Sequence, residues 1–175
     1  MFEKLNKILQ LFMKHPIREF NVREAARLTD ISTATTSNKL KELAKEKILK
    51  HRKERNLDLY KANIESYEYR DMKIYHNIRT IRESGLLEAL NEQYMKPAVV
   101  LFGSSSTGMD IETSDIDILV VSENKKQFFE REKFKKKLGR ELQIFVVSDV
   151  KELKNKHLIN SAANGIVIQG MVKWI

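Results

Sequence analysis

Apolar residues in the first 62 positions recur at helical spacing and then give way to a short extended pattern. Phe2, Leu5, Ile8, Leu9 and Phe12 fall three and four apart and stop near His15-Pro16, where proline lacks the N–H that a helix needs. Asn21 predicts the cap of a second helix over 22–28, with Glu24 in its first turn. Thr29-Asp30-Ile31 reads as a short turn, and Ser32 or Thr33 caps a third helix running to about Lys47. Leu40, Leu43 and Ala44 form its buried stripe. Ile48-Leu49 then opens an extended piece, the polar run 51–56 turns it, and residues 57–60 return it.

A second helical rhythm occupies 65–96. Tyr67, Met72, Ile74, Tyr75, Ile78 and Ile81 carry it to Gly85, and Leu86, Leu87, Leu90 and Tyr94 resume it before Pro97 restarts the chain as strand. This predicts a helical linker that packs the flanking modules together or pairs two subunits as a homodimer. Beyond Pro97 the apolar runs are continuous and of strand length, up to Gly103-Ser104, at 116–121, at 141–147 and at 166–168. Helical segments are expected at 125–138, 150–156 and 158–163, the last closed by Asn164-Gly165, with Trp174 as packing. The expected fold class is α+β, with three parts at 1–64, 65–96 and 97–175.

The chemistry is concentrated in Val99–Val121. Asp115 and Asp117 alternate with Ile116 and Ile118, and residues two apart on a strand share a face. The two carboxylates therefore project together, and each raises the other's pKa unless a cation lies between them. Mg²⁺ suits such a pair, because it takes few carboxylates and completes its shell with phosphate oxygens and water. The Gly103-Ser104 turn adds backbone N–H groups that a phosphate can approach closely. The bland alternative is a solvated strand edge beside an ordinary turn.

The run G-S, ten residues, then D-I-D-I resembles the signature of the DNA polymerase β-like nucleotidyltransferase superfamily, and more narrowly its minimal nucleotidyltransferases. The resemblance implies that Gly103, Ser104 and Ser105 bind the triphosphate of an NTP, with ATP as the expected substrate. It also implies that Asp115 and Asp117 ligate Mg²⁺ and that a third carboxylate follows on a later strand. Glu141 is the only acid on the relevant face of that strand, since Gln143 can neither act as a base nor carry the metal's charge. Such proteins often read G-S-x-A-R-G, whereas Ser106 and Thr107 stand here at the alanine and arginine positions. That leaves Lys125 or Lys126 as replacement cations, or the serines as phosphate donors or helix caps.

The front segment resembles a winged helix-turn-helix, with N-V-R-E-A-A-R-L-T-D-I-S-T-A-T-T-S-N-K-L-K-E-L as its helix pair. The resemblance implies a DNA-binding domain at 1–64. Ser32, Thr33, Thr35, Thr36, Asn38 and Lys39 would face base edges and phosphates, and Arg52, Lys53 and Arg55 would meet the backbone from the wing. Such domains also serve as dimerisation modules.

Charge favours the same division. The chain carries +8 overall, residues 1–62 hold 15 basic against 8 acidic side chains, and residues 97–175 hold 12 against 10. The excess sits at the front, where a polyanion would bind. There is no cysteine, which excludes disulfides and thiolate metal sites, and the four histidines are scattered without ligand spacing. No apolar run reaches membrane-spanning length, so a cytoplasmic protein without a membrane partner is expected. The leading expectation is a metal-dependent transferase moving an NMP from NTP to an acceptor hydroxyl, coupled to a DNA-binding winged helix. The alternatives are a nucleotide-sensing transcriptional regulator without turnover, or an antitoxin that modifies or masks a helical toxin as its partner protein.

Overall fold

The computed structural model describes residues 7–174, so Phe2 and Leu5 of the first expected helix lie outside the described residues. The chain divides into two compact units, Met1–His76 and Asn77–Ile175.

In the first unit, α1 (Lys7–Lys14) buries Ile8, Leu9, Phe12 and Met13 on one face. A two-residue strand β1 (Phe20–Asn21) leads into α2 (Val22–Thr29), and α3 (Thr33–Lys45) follows after a turn. Asn21 caps α2 by accepting from the Glu24 N–H at 2.9 Å, and Ser32 caps α3 by accepting from Thr35 at 3.2 Å. Asp30, in the left-handed region at φ 55°, stops α2. Strands β2 (Leu49–Glu54) and β3 (Leu57–Ala62) complete an antiparallel sheet in the order β1-β3-β2. The hairpin pairs down to Glu54↔Leu57, so its tip is only Arg55-Asn56, with Arg55 at φ 53°. The expected turn over 51–56 is therefore mostly strand. Its exposed polar side chains carry no apolar alternation, and backbone pairing alone defines it.

Phe12, Phe20, Leu40, Leu43, Ile48 and Tyr60 share one core. The first half of α4 (Tyr67–Glu83) closes it, where buried Tyr69 and Lys73 donate to the carbonyls of Phe12 at 3.2 Å and Met13 at 2.5 Å. Those carbonyls end α1 and have no partner within the helix, so the two side chains act as its C-terminal cap.

In the second unit, α5 (Leu86–Tyr94) precedes β4 (Ala98–Phe102), the single turn α6 (Ser104–Thr107) and β5 (Ile116–Val121). Then come α7 (Arg131–Leu138), β6 (Leu142–Val147), α8 (Lys156–Ala163) and β7 (Ile166–Gln169). The sheet order is β6-β5-β4-β7, with β5 and β6 parallel and the other pairs antiparallel. A parallel pair needs a crossover, and α7 supplies it. One sheet face, with Leu101, Ile116, Ile118 and Val120, packs against Leu86, Leu90 and Phe134. The other, with Val100, Phe102 and Leu119, packs against Val150, Leu153 and Ala162. The molecule is thus α+β with a mixed four-stranded sheet.

Two expected helices are shorter than the pattern suggested. Of 125–138 only α7 is α-helical, because Gln93 and Tyr94 hold the preceding loop by its backbone. Gln93 Nε2 donates to the Gln127 carbonyl at 2.7 Å, and the Tyr94 hydroxyl to Lys126 at 2.7 Å. Of 150–156 only a 3₁₀ turn, Val150–Glu152, forms, since Asn155 is taken up as the cap of α8.

Candidate functional site

Strand β4 ends at Phe102, whose register partner across the antiparallel pair is Asp117. Gly103 follows at φ 68° and ψ −155°, a conformation open essentially to glycine alone. A Cβ built there would lie 3.3 Å from Asp117 Cγ and nearer than 3.0 Å to its Oδ2. Glycine is required twice over, for the backbone angle and for the carboxylate pressed against it. The Gly103-Ser104 turn and Asp117 are therefore neighbours by construction.

Asp117 and Asp115 meet as the alternation predicts, while Ile116 and Ile118 are buried on the opposite face. Burial pushes the Asp117 carboxyl above the usual range, the Asp115 charge pushes it further, and Arg140 opposes both. The site thus holds an anionic pair whose ionised form is costly without a counter-cation. On β6, Gln143 is the register partner of Asp117, and its amide donates to Asp115 Oδ2.

Glu141 is exposed at the head of β6 and ion-paired with Lys135 of α7 at 2.6 Å. It lines a cavity of about 280 Å³ together with Asp115, Arg131, Gln143, Ile144 and Phe145. Among the described residues, no group of three or more His, Cys, Asp or Glu side chains is placed to hold a metal ion. The two aspartates nevertheless fit one hard divalent cation, which takes its remaining oxygens from phosphate and water.

Arg140 is the residue that sequence reasoning missed. Its guanidinium donates from Nε to the Ser114 carbonyl at 2.7 Å and from Nη1 to Asp110 Oδ2 at 2.7 Å. From Nη2 it donates to the Asp115 carbonyl at 2.9 Å and to Ser105 Oγ at 3.0 Å. Asn77 bonds the other Asp110 oxygen at 2.7 Å and the Ser105 carbonyl at 2.9 Å. The available signal was charge, because residues 103–117 contain four acids and no lysine, arginine or histidine. Ser105 is buried, its hydroxyl accepting from Arg140 and lying 3.5 Å from the Asp115 carbonyl. Lys125 lies beyond the far end of β5 from the aspartates and pairs with Glu152 at 2.5 Å, which removes it as a replacement cation for the turn.

In the first unit, α3 exposes Ser32, Thr33, Thr35 and Asn38, whereas Lys39 is half-buried and pairs with Glu42 at 2.6 Å. Thr36 is a correction to the expected polar face. It lies four residues before Leu40 on the core side, is fully buried, and its hydroxyl has no hydrogen-bond partner among the described residues. Arg52 sits on β2 rather than at the tip, clamped by Glu19 at 2.5 and 2.7 Å and by Glu54 at 2.6 Å. Lys53 and Arg55 are exposed beside or at the tip.

No helix among the described residues is long and apolar enough to cross a membrane. No curated protein matches the chain. Residues 83–166, which hold the Gly103-Ser104 turn, both aspartates, Arg140 and strands β4 to β6, match the family model for the nucleotidyltransferase domain, and this match supports placing that stretch in the nucleotidyltransferase superfamily.

Proposed function

We propose that the second unit moves a nucleoside monophosphate from an NTP, with ATP as the expected donor, to an acceptor hydroxyl, with release of pyrophosphate. The observation that carries this reading is the Gly103-Ser104 turn packed directly on Asp117, beside Asp115. A phosphate-binding backbone and a pair of hard oxygen ligands thereby share one small space. A divalent ion, Mg²⁺ in the first instance, would supply neutralisation of the triphosphate and activation of the attacked phosphorus when bound. Asp115 and Asp117 would hold it. The N–H groups of Ser104 and Ser105 would meet the phosphates, and Glu141 would accept the proton of the acceptor hydroxyl once parted from Lys135.

The first unit is proposed to be a winged helix that binds DNA. Ser32, Thr33, Thr35 and Asn38 supply short donors and acceptors on α3, with Lys39 behind them and Lys53 and Arg55 on the hairpin. Arg52 would reach a phosphate only by leaving Glu19 and Glu54.

A second reading has an observation of its own. Gln143 stands opposite Asp117 and Glu141 is held by Lys135, so among the described residues no third acid joins the aspartate pair in a metal-ligating group. A nucleotide sensor that regulates transcription without turnover would need no third acid.

Calorimetry with each NTP, with and without Mg²⁺, tests the site. Binding that requires the metal and disappears in Asp115→Ala/Asp117→Ala supports it, and metal-independent binding by that variant overturns it. For the first unit, neutralising Lys53 and Arg55 should weaken DNA binding and flatten its salt dependence by about one to two phosphate contacts. Unchanged binding removes the wing from the interface.

A further inference from the structure

We propose that Arg140 is the positioning residue of the nucleotide site, a side chain that sets the phosphate-binding turn against the metal carboxylates. The proposal rests on the nucleotide reading above and adds a residue and a coupling to it. Residues 103–117 carry four acids and no cation, yet this segment must receive a triphosphate. The cation set against it comes from outside, from the turn between α7 and β6. Arg140 is 14% exposed and Asp110 is 0% exposed at their side chains, so the guanidinium is enclosed by the loop rather than free to touch a ligand.

The geometry fits positioning. One plane of donors bonds Ser105, which belongs to the phosphate turn, and Ser114 and Asp115, which begin the carboxylate strand. Asp110 holds the guanidinium by a third direction, and Asn77 ties Asp110 to the Ser105 carbonyl. The turn and the strand are thus hung on one rigid fork. A lysine cannot reproduce this, because its ammonium is a point with three rotatable donors rather than a planar fork. Stability alone does not call for the arrangement either, since buried ion pairs are often matched or bettered by apolar side chains of similar volume. A fork that fixes two ligand-binding elements at one spacing does call for it.

Two ligands therefore become coupled through Arg140. Bare metal needs only Asp115 and Asp117, whereas metal-bound triphosphate must meet the carboxylates and the turn together. Arg140→Lys and Asp110→Asn should leave Mn²⁺ binding within about twofold and weaken ATP binding in the presence of Mn²⁺ by about tenfold or more. The double variant should be no worse than either single one, because both cut the same fork. Millimolar guanidinium should restore part of the ATP affinity of Arg140→Ala. Leu90→Ala, in the core of the same unit and away from the site, should lower the melting temperature and keep ATP affinity in folded protein at 25 °C.

Wild-type ATP affinity in Arg140→Lys overturns the proposal while the nucleotide reading stands. Parallel loss of Mn²⁺ and ATP binding in Arg140→Lys, with no rescue of Arg140→Ala by guanidinium, also overturns it and makes the residue merely structural. A wild-type protein that binds no metal–nucleotide overturns the nucleotide reading itself and this inference with it.

Discussion

Gly103→Ala is the sharpest perturbation the structure offers. The added methyl group meets two separate penalties. Its backbone angles, φ 68° and ψ −155°, are open essentially to glycine, and forcing another residue into such a region costs about 1–3 kcal/mol. The methyl also lies 3.3 Å from Asp117 Cγ and closer to Oδ2, so the carboxylate must move, an overpacking cost of about 1–3 kcal/mol. Together they predict a loss of about 2–6 kcal/mol in unfolding free energy. Asp117→Ala separates the two parts. Without the carboxylate, the nearest remaining atom is the residue-117 Cβ at 3.6 Å, an ordinary contact, so only the backbone cost persists. The double-mutant cycle should return a coupling of about 1–3 kcal/mol. Trp174, the chain's one tryptophan, packs in the second unit, so its fluorescence during urea unfolding reports on that unit. An equal cost for Gly103→Ala in both backgrounds would show that the turn and Asp117 are not in contact, and the site as drawn would be wrong.

Other expectations follow from single side chains. Asp117→Asn should raise the melting temperature of metal-free protein at pH 7 and abolish any stabilisation by Mn²⁺. The sign follows from the raised pKa: an ionised carboxylate favoured less in the folded state than in the unfolded one reduces stability above that pKa and recovers it as pH falls through it. A lower melting temperature in Asp117→Asn would contradict this. Thr36→Val should stabilise the first unit by about 1 kcal/mol in chemical denaturation, since an orphaned buried hydroxyl is replaced by a methyl of the same shape. Destabilisation would reveal a partner for that hydroxyl. Glu152 should titrate at about 2 by NMR, because Lys125 and Ser148 bond its carboxylate. In Lys125→Met it should move up toward the ordinary glutamate range, and an unmoved value would remove the pair.

Much of the fold could be read from local signals with a physical cause. Asn21 and Ser32 cap the helices they were expected to cap, because short acceptors at those positions satisfy N–H groups the helix leaves open. The Asp-Ile alternation at 115–118 placed acids and core on opposite faces because a strand allows no other arrangement. What escaped depends on partners distant in sequence. Strand β1 is two residues long and exists only through Tyr60 and Leu59 of β3. The loop before α7 is irregular because Gln93 and Tyr94 hold its carbonyls. Thr36 fell on the wrong side because a run of short polar residues hides the helical stripe.

In the site, the Gly103 turn and the aspartate pair were legible from spacing, since turn, strand and alternation lie within one hairpin. Arg140 was not, because its bonds reach back 25 to 35 residues to Asp115, Ser114, Asp110 and Ser105. Nor was the engagement of Glu141 by Lys135, which arises only when α7 folds back along β6.

Nucleotidyl transfer by the second unit can be measured outright. Purified protein is incubated with each α-labelled NTP, Mg²⁺ and a cell lysate as source of acceptor, beside the Asp115→Ala/Asp117→Ala variant. Label should move to an acceptor with the wild type alone. No transfer with any NTP, while metal-dependent nucleotide binding persists, would contradict the transferase reading and leave a nucleotide sensor.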